Sequence, residues 1–193
     1  MLESIMVAKN LSAKVKITIK SLVSVGLIAL AVILPQIVHL ALGQSGGAQW
    51  LPMYLPVLIG GCILGYKWGL AVGIASPLVS FLITSIWNDP MPVAARLPFM
   101  MAELAVFALV SGAFSKKISN NAWMAFPAVL LAQISGRAFF LLLVTVFQSI
   151  TPFTPEMIWS QIQTGFIGII LQALIVPFAV MGIKKLLDKE KND

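Results

Sequence analysis

Glu103 and Arg137 are the residues of this 193-residue chain most able to do chemistry, because both stand inside apolar runs. A charge placed there is costly and ordinarily faces a cavity or a partner. Two roles suit the pair. It can orient the polar groups of a small solute, or it can be a structural ion pair that pins two helices. Other reactive residue types are sparse: His39 is the only histidine and Cys62 the only cysteine. His39 has no cysteine or carboxylate near it in sequence, and Cys62 has neither a disulfide partner nor a metal ligand at suitable spacing. With no H-E-x-x-H, G-x-S-x-G or Walker-type loop, no catalytic residues, metal site or cofactor are expected. Without a phosphate-binding loop this chain does not hydrolyse ATP, so uphill transport would need energy from elsewhere.

The elements that position these residues follow from the apolar runs. Residues 21–66 contain no Asp, Glu, Lys or Arg, and 68–88, 104–115, 118–136, 138–155 and 157–183 are equally free of them. Inside hydrocarbon every backbone amide needs an internal partner, so helices or closed barrels are the only crossings. The period-two alternation of a lipid-facing barrel is absent. At about 20 apolar residues per crossing, the runs divide into six transmembrane helices near 20–41, 52–65, 68–87, 97–115, 122–148 and 156–183. With 59% hydrophobic and 10% charged residues, the whole of 1–193 is expected to be one all-α, polytopic membrane domain.

Charge gives the orientation. All eleven lysines fall before the first crossing (Lys9, Lys14, Lys16, Lys20), in the second and fourth turns (Lys67, Lys116, Lys117) or after the last (Lys184, Lys185, Lys189, Lys191). The other loops, 42–51, 88–96 and 149–155, offer only Asp89 and Arg96. Lysine and arginine near crossing ends stay on the cytoplasmic side, so both termini are expected in the cytoplasm of a plasma-membrane, bacterial-type protein. The net charge of +6 is therefore an orientation signal, with no nucleic-acid partner implied. No short apolar run with a small-residue cleavage site stands at the start, so the first run is expected to remain as a helix.

Polar residues within the crossings gather toward the outer face. Glu103 and Arg137 lie ~9 and ~16 Å from the outer ends of their helices at 1.5 Å per residue, with Gln133 one turn below Arg137. Gln36 and His39 sit near the outer end of the first crossing. Trp87 and Asn88 close the third and Arg96 opens the fourth. Trp159, Gln161 and Gln163 open the sixth, and Gln172 lies deeper in it. The inner halves are almost purely apolar. A channel or proton relay would need polar groups all the way through, whereas this arrangement suits an outward pocket with a floor. A mainly apolar cleft with a few hydrogen-bonding groups holds a small organic solute with a ring. Aromatic belts explain Trp50, Trp87 and Trp159 equally well, and His39 suits the headgroup level as well as a ligand.

Small residues mark a second pattern. Gly61, Gly65, Gly69 and Gly73 recur every four residues across the second turn, a spacing that lets helices approach closely. Packing within the chain and docking of another membrane subunit both use such a surface.

The runs Leu55-Pro56-Val57-Leu58-Ile59-Gly60-Gly61, Leu64-Gly65-Tyr66-Lys67-Trp68-Gly69 and Gly73-Ile74-Ala75-Ser76-Pro77, with Leu97-Pro98-Phe99-Met100-Met101-Ala102-Glu103-Leu104-Ala105 and Gly136-Arg137, resemble the substrate-binding S components of energy-coupling factor (ECF) transporters over about residues 20–183. The resemblance implies a six-helix subunit that captures a vitamin near the outer face. It also implies work with a membrane scaffold (T) subunit and two cytoplasmic ATPase subunits, toppling in the lipid bilayer to release the solute inside. By the same resemblance the loop Gly43–Trp50 is a gate, flexible at Gly46 and Gly47. The Ala-x-x-x-Ala element that meets the scaffold in such subunits is missing, and only Gly26, Ala29 and Ala31 stand in the first helix at other spacings.

The resulting expectation is capture without chemistry, between the outer halves of the fourth, fifth and sixth crossings and beneath loops 42–51 and 149–155. Glu103 and Arg137 orient the solute. Gln133, Gln163 and Gln172 hydrogen-bond to it and Trp87 or Trp159 stacks, with Gln36, His39 and Asn88 as further candidates. Gly26, Ala29, Gly65, Gly69 and Gly73 are candidate partner contacts. Two alternatives stay open: a stand-alone ion-coupled secondary transporter, for which Glu103 is the one candidate carboxylate, and a non-transport membrane assembly subunit.

Overall fold

The apolar runs fold as helices throughout the computed structural model, which describes residues 1–192. Asp193 and the side chains of Gln44, Ser45, Ala48, Glu190, Lys191 and Asn192 lie outside the described set. Nine α-helices follow one another among the described residues: α1 (Leu2–Ala8), α2 (Ala13–Trp50), α3 (Tyr54–Leu64), α4 (Tyr66–Ser85), α5 (Leu97–Ala113), α6 (Ser115–Asn120), α7 (Ala125–Phe147), α8 (Pro155–Thr164) and α9 (Phe166–Asn192). Five stretches among the described residues are long and apolar enough to cross a membrane: Ala13–Gly43, Tyr66–Ser85, Ala94–Ala113, Ala122–Phe147 and Phe166–Lys189.

The five long helices close a ring in the order α2, α4, α5, α7, α9 and back to α2, with α3 packed at its centre against all of them. Ten of the eleven residues of α3 are buried, so this helix never meets the surroundings. Its uniformly apolar composition is what such a position requires. Eleven residues span only ~16 Å of helix, against ~30 Å of hydrocarbon. The ring is therefore longer than the peg inside it, and a hollow remains at each end of the peg.

Close helix approach is built from glycine. A Cβ on Gly69 would stand 2.8 Å from Gly61 Cα, one on Gly73 2.6 Å from the Leu104 carbonyl oxygen, and one on Gly112 2.5 Å from the Tyr66 backbone. The every-fourth-residue glycines thus seat α4 against α3 and α5. This corrects the docking role for Gly69 and Gly73, which are buried inside the chain. Gly65 forms the α3–α4 turn at φ +83°, a conformation open to glycine without Cβ strain. Gly26 and Ala29, by contrast, lie exposed on the outer face of α2.

Three expected boundaries shift. The loop anticipated at 42–51 is helical on both sides of a break at Gly43, where φ 71° and ψ −174° leave the helix. The segment anticipated as one helix at 156–183 is split at Gly165 into α8 and α9. Residues before Lys9 form α1, which tucks under the ring with Leu2, Ile5 and Met6 buried and Lys20 Nζ 3.1 Å from Glu3 Oε2.

Gln172 fixes the end of α2. Its Nε2 donates to the carbonyls of Trp50 and Leu51 at 3.1 and 2.8 Å; the Leu51 carbonyl also accepts from the Tyr54 N–H at 3.1 Å, whereas the Trp50 carbonyl, at the helix terminus, depends on this amide. Gln172→Leu is expected to leave the Trp50 carbonyl unpaired and to destabilise the protein by about 1–3 kcal/mol, measurable as a lower melting temperature in detergent.

Candidate functional site

Glu103 and Arg137 meet in the ring wall: Arg137 Nη1 lies 2.9 Å from Glu103 Oε1. The first is on α5 and the second on α7, neighbours in the ring. Gly136 lets these helices touch, because a Cβ there would collide with the Phe107 ring. Tyr54, the first residue of the peg, donates its hydroxyl to Glu103 Oε2 at 2.8 Å. Its ring lies 4.9 Å beneath the Arg137 guanidinium and packs edge-on to Phe107 at 5.2 Å. Glu103 is wholly buried and Arg137 is 6% exposed, so the pair is sealed from bulk water on the protein side.

Arg137 also borders a cavity of ≈ 390 Å³ above the peg. The floor is the link from Leu51 to Tyr54. The walls come from Pro35 and His39 on α2, Ser80 on α4, Met100 on α5 and Gln161 on α8, with Arg96 before α5 and the loop Asp89–Val93 completing them. That loop is held down by α4: Thr84 Oγ1 accepts from the Met91 N–H at 2.7 Å, and Ser80 Oγ donates to the Met91 carbonyl at 2.7 Å. α8 closes the side through Ile158, buried with Phe99, Phe140 and Val144. From that anchored helix Gln161 Oε1 accepts from Arg96 Nη2 at 2.7 Å. At the opposite end of the peg a hollow of ≈ 1080 Å³ is lined by Lys20, Lys67 and Lys116 among others.

A family model described as "ECF transporter, substrate-specific component" matches residues 20–180. The chain belongs to that family. No curated protein and no solved structure matches it. The family is one of transporter components rather than of enzymes. The apolar helices accord with a multi-pass membrane protein.

Within this ECF substrate-specific component, the residues singled out from sequence separate into two groups. Arg137, His39 and Gly47 border the cavity, and Glu103 stands behind Arg137. Gln133 and Gln172 do not border it: their amide N–H groups go to the carbonyls of Ile169, Trp50 and Leu51, and each Oε1 is buried without a partner among the described residues. Trp87 and Trp159 point outward, 68% and 56% exposed, as aromatic anchors do. Asn88 is an exposed turn residue at φ 58°, Gln163 is exposed, and Gln36 is half-buried beside the cavity without bordering it. Gly46 and Gly47 pack within the helical stretch after Gly43. A Cβ on Gly47 would strike the His39 imidazole, so this stretch is seated rather than hinged there. Trp50 contributes its carbonyl to Gln172 and stays outside the cavity. Residues 149–155 do not border it either.

The cavity residues that the sequence expectation left out are Tyr54, Arg96, Gln161, Ser80 and the Asp89–Val93 loop. Two carried a signal. Arg96 is a cation in a loop where the lysine bias keeps cations away, and Tyr54 is a hydroxyl at the head of an apolar eleven-residue segment.

Proposed function

We propose that this protein is the substrate-capture subunit of an ATP-driven ECF importer, taking a vitamin or vitamin-like solute from outside the cell. Six helices would be embedded, α3 among them, with both termini in the cytoplasm. The observation that carries this reading is the cavity above the peg, backed by the buried Glu103–Arg137–Tyr54 cluster. Its volume lies in the range of small-molecule sites. All the lysines whose side chains are described gather at the opposite end of the bundle, which supports that end as the cytoplasmic one. A membrane scaffold and two ATPases would supply the energy, since this chain has no phosphate-binding loop.

Arg137, His39, Tyr54, Arg96 and Gln161 would contact the solute, with Glu103 holding Arg137 in place. Loop Asp89–Val93 and α8 would act as the cover, in place of the stretch at 42–51. The ion-coupled alternative needs a carboxylate reachable from both faces. Glu103 has no exposed surface and is held by Arg137 and Tyr54, which weighs against it. The expected result of a thermal-shift screen of the purified protein against a panel of vitamins is a clear rise in melting temperature for one of them, since binding to the folded state alone adds about 2.7 kcal/mol at a hundredfold excess over Kd. If none of them raises it, the capture reading fails.

A further inference from the structure

We propose that the cavity selects an organic acid, its carboxylate received by Arg96 and Arg137; the inference rests on the capture reading above. The argument is a census of hydrogen-bonding groups. Arg137 is 6% exposed, yet Nε, Nη1 and Nη2 find no aligned acceptor among the described residues. Its 2.9 Å approach to Glu103 Oε1 is an ion contact, and the other carboxylate oxygen already accepts from Tyr54. Arg96 repeats the pattern: Nη2 is taken by Gln161, while Nε is buried without a partner. Two guanidinium groups, one from α7 and one from the entry to α5, therefore border one cavity, and their unpaired nitrogens lie buried with almost no accessible surface of their own.

Side-chain acceptors on the cavity wall are few beside the His39 imidazole, whose buried Nδ1 has no partner among the described residues. Gln161 Oε1 is occupied by Arg96 and the Ser80 hydroxyl is directed to the Met91 carbonyl. Asp89 is the one carboxylate on the wall among the described residues, and it is exposed at the rim, where water screens it. A buried donor left unpaired costs the full desolvation penalty of that group, more so when it is charged. A solute that is neutral and donor-rich, or cationic, would leave the guanidinium N–H groups in that condition. A carboxylate brings two oxygens with about four lone-pair directions, matched to the planar fork of arginine. Glu103 neutralises Arg137 without satisfying its donors, so the site retains directional demand after its charge is balanced. The rest of the wall, with Met53, Met91, Met100, Pro35 and Pro52, suits an apolar body, and thioethers adapt to irregular shapes.

Matched pairs test this on the full-length protein in detergent: nicotinate with nicotinamide, pantothenate with pantothenol, and biotin with its primary amide. Thermal shift and calorimetric titration are the readouts. The expected result is that an acid binds and its neutral mate binds at least tenfold more weakly. Arg96→Gln keeps a donor on a shorter side chain but removes the charge, and is expected to weaken the acid by about 10- to 100-fold. Asp89→Asn, which removes repulsion at the rim, is expected to tighten it by up to about fivefold. A neutral member that binds as tightly as its acid, or an Arg96→Gln variant that holds the acid as well as the unmodified protein, overturns the anion assignment and leaves capture standing. Absence of any shift with acids and neutral mates alike removes capture and this inference together. The pair comparison uses the unmodified protein, so a folding defect in a variant does not obscure it.

Discussion

Glu103→Ala is expected to destabilise the protein by about 3–5 kcal/mol, because it strips the partner from a buried guanidinium and leaves that charge uncompensated. At the size of this chain that is a fall in melting temperature on the order of 10 °C. The same change deprives the Tyr54 hydroxyl of its acceptor, so the peg loosens from α5 as well as α5 from α7. Two further variants apportion the effect. Glu103→Gln keeps an acceptor for Tyr54 and removes only the charge, so it falls between the alanine variant and the unmodified protein. Glu103→Gln combined with Arg137→Met removes both charges and is expected to recover a large part of the loss, since a neutral pair of similar volume carries no desolvation penalty. Thermal unfolding of the four proteins under one detergent condition checks this. Equal melting of Glu103→Ala and the unmodified protein would show that the pair holds nothing together.

Gly73→Val is expected to prevent accumulation of folded protein, and Gly73→Ala to cost about 1–3 kcal/mol. The atom that a Cβ would meet at 2.6 Å is the Leu104 carbonyl oxygen, and backbone cannot rotate aside as a side chain can. The substitution therefore forces α4 away from α5 along their whole contact. Gly112→Ala meets the Tyr66 backbone at 2.5 Å and is expected to behave alike. The opposite sign is expected at Gly26, where a Cβ meets nothing within 4 Å. There alanine gains helix propensity, worth up to about 1 kcal/mol in an exposed position. Yield of monodisperse protein and melting temperature measure all three, and a destabilised Gly26→Ala would show that this face is packed against something.

The helical class and the approach of Glu103 to Arg137 were legible because each depends on local chemistry. An uncharged run of helical length, or a charge stranded within one, reads directly from residue types. What could not be read is long-range. Nothing in Gln133 or Gln172 reveals whether an amide meets a solute or a carbonyl of another helix, since the partners Ile169, Trp50 and Leu51 lie 36, 122 and 121 residues away. Trp87 and Trp159 were ambiguous for a related reason: which side of a helix faces lipid depends on its place in the ring, and nearly uniform apolarity erases the periodic signal that would mark it. The helical continuation past Gly43 was hidden by a composition rich in glycine, glutamine and serine, which reads as loop until a neighbouring helix supplies partners for its carbonyls.

The short central helix has a consequence for how such a protein could change its cargo. Each further turn of helix at its Leu51 end would advance the cavity floor by 5.4 Å, roughly the depth of an aromatic ring, while the outward faces of the five surrounding helices stayed as they are. The depth of the cavity is thus set at four residues, 51–54, that lie within the ring. The rest of the lining, with Pro35, His39, Ser80, Met100 and Arg137, stands on the surrounding helices themselves, so the floor is the part that can move without them.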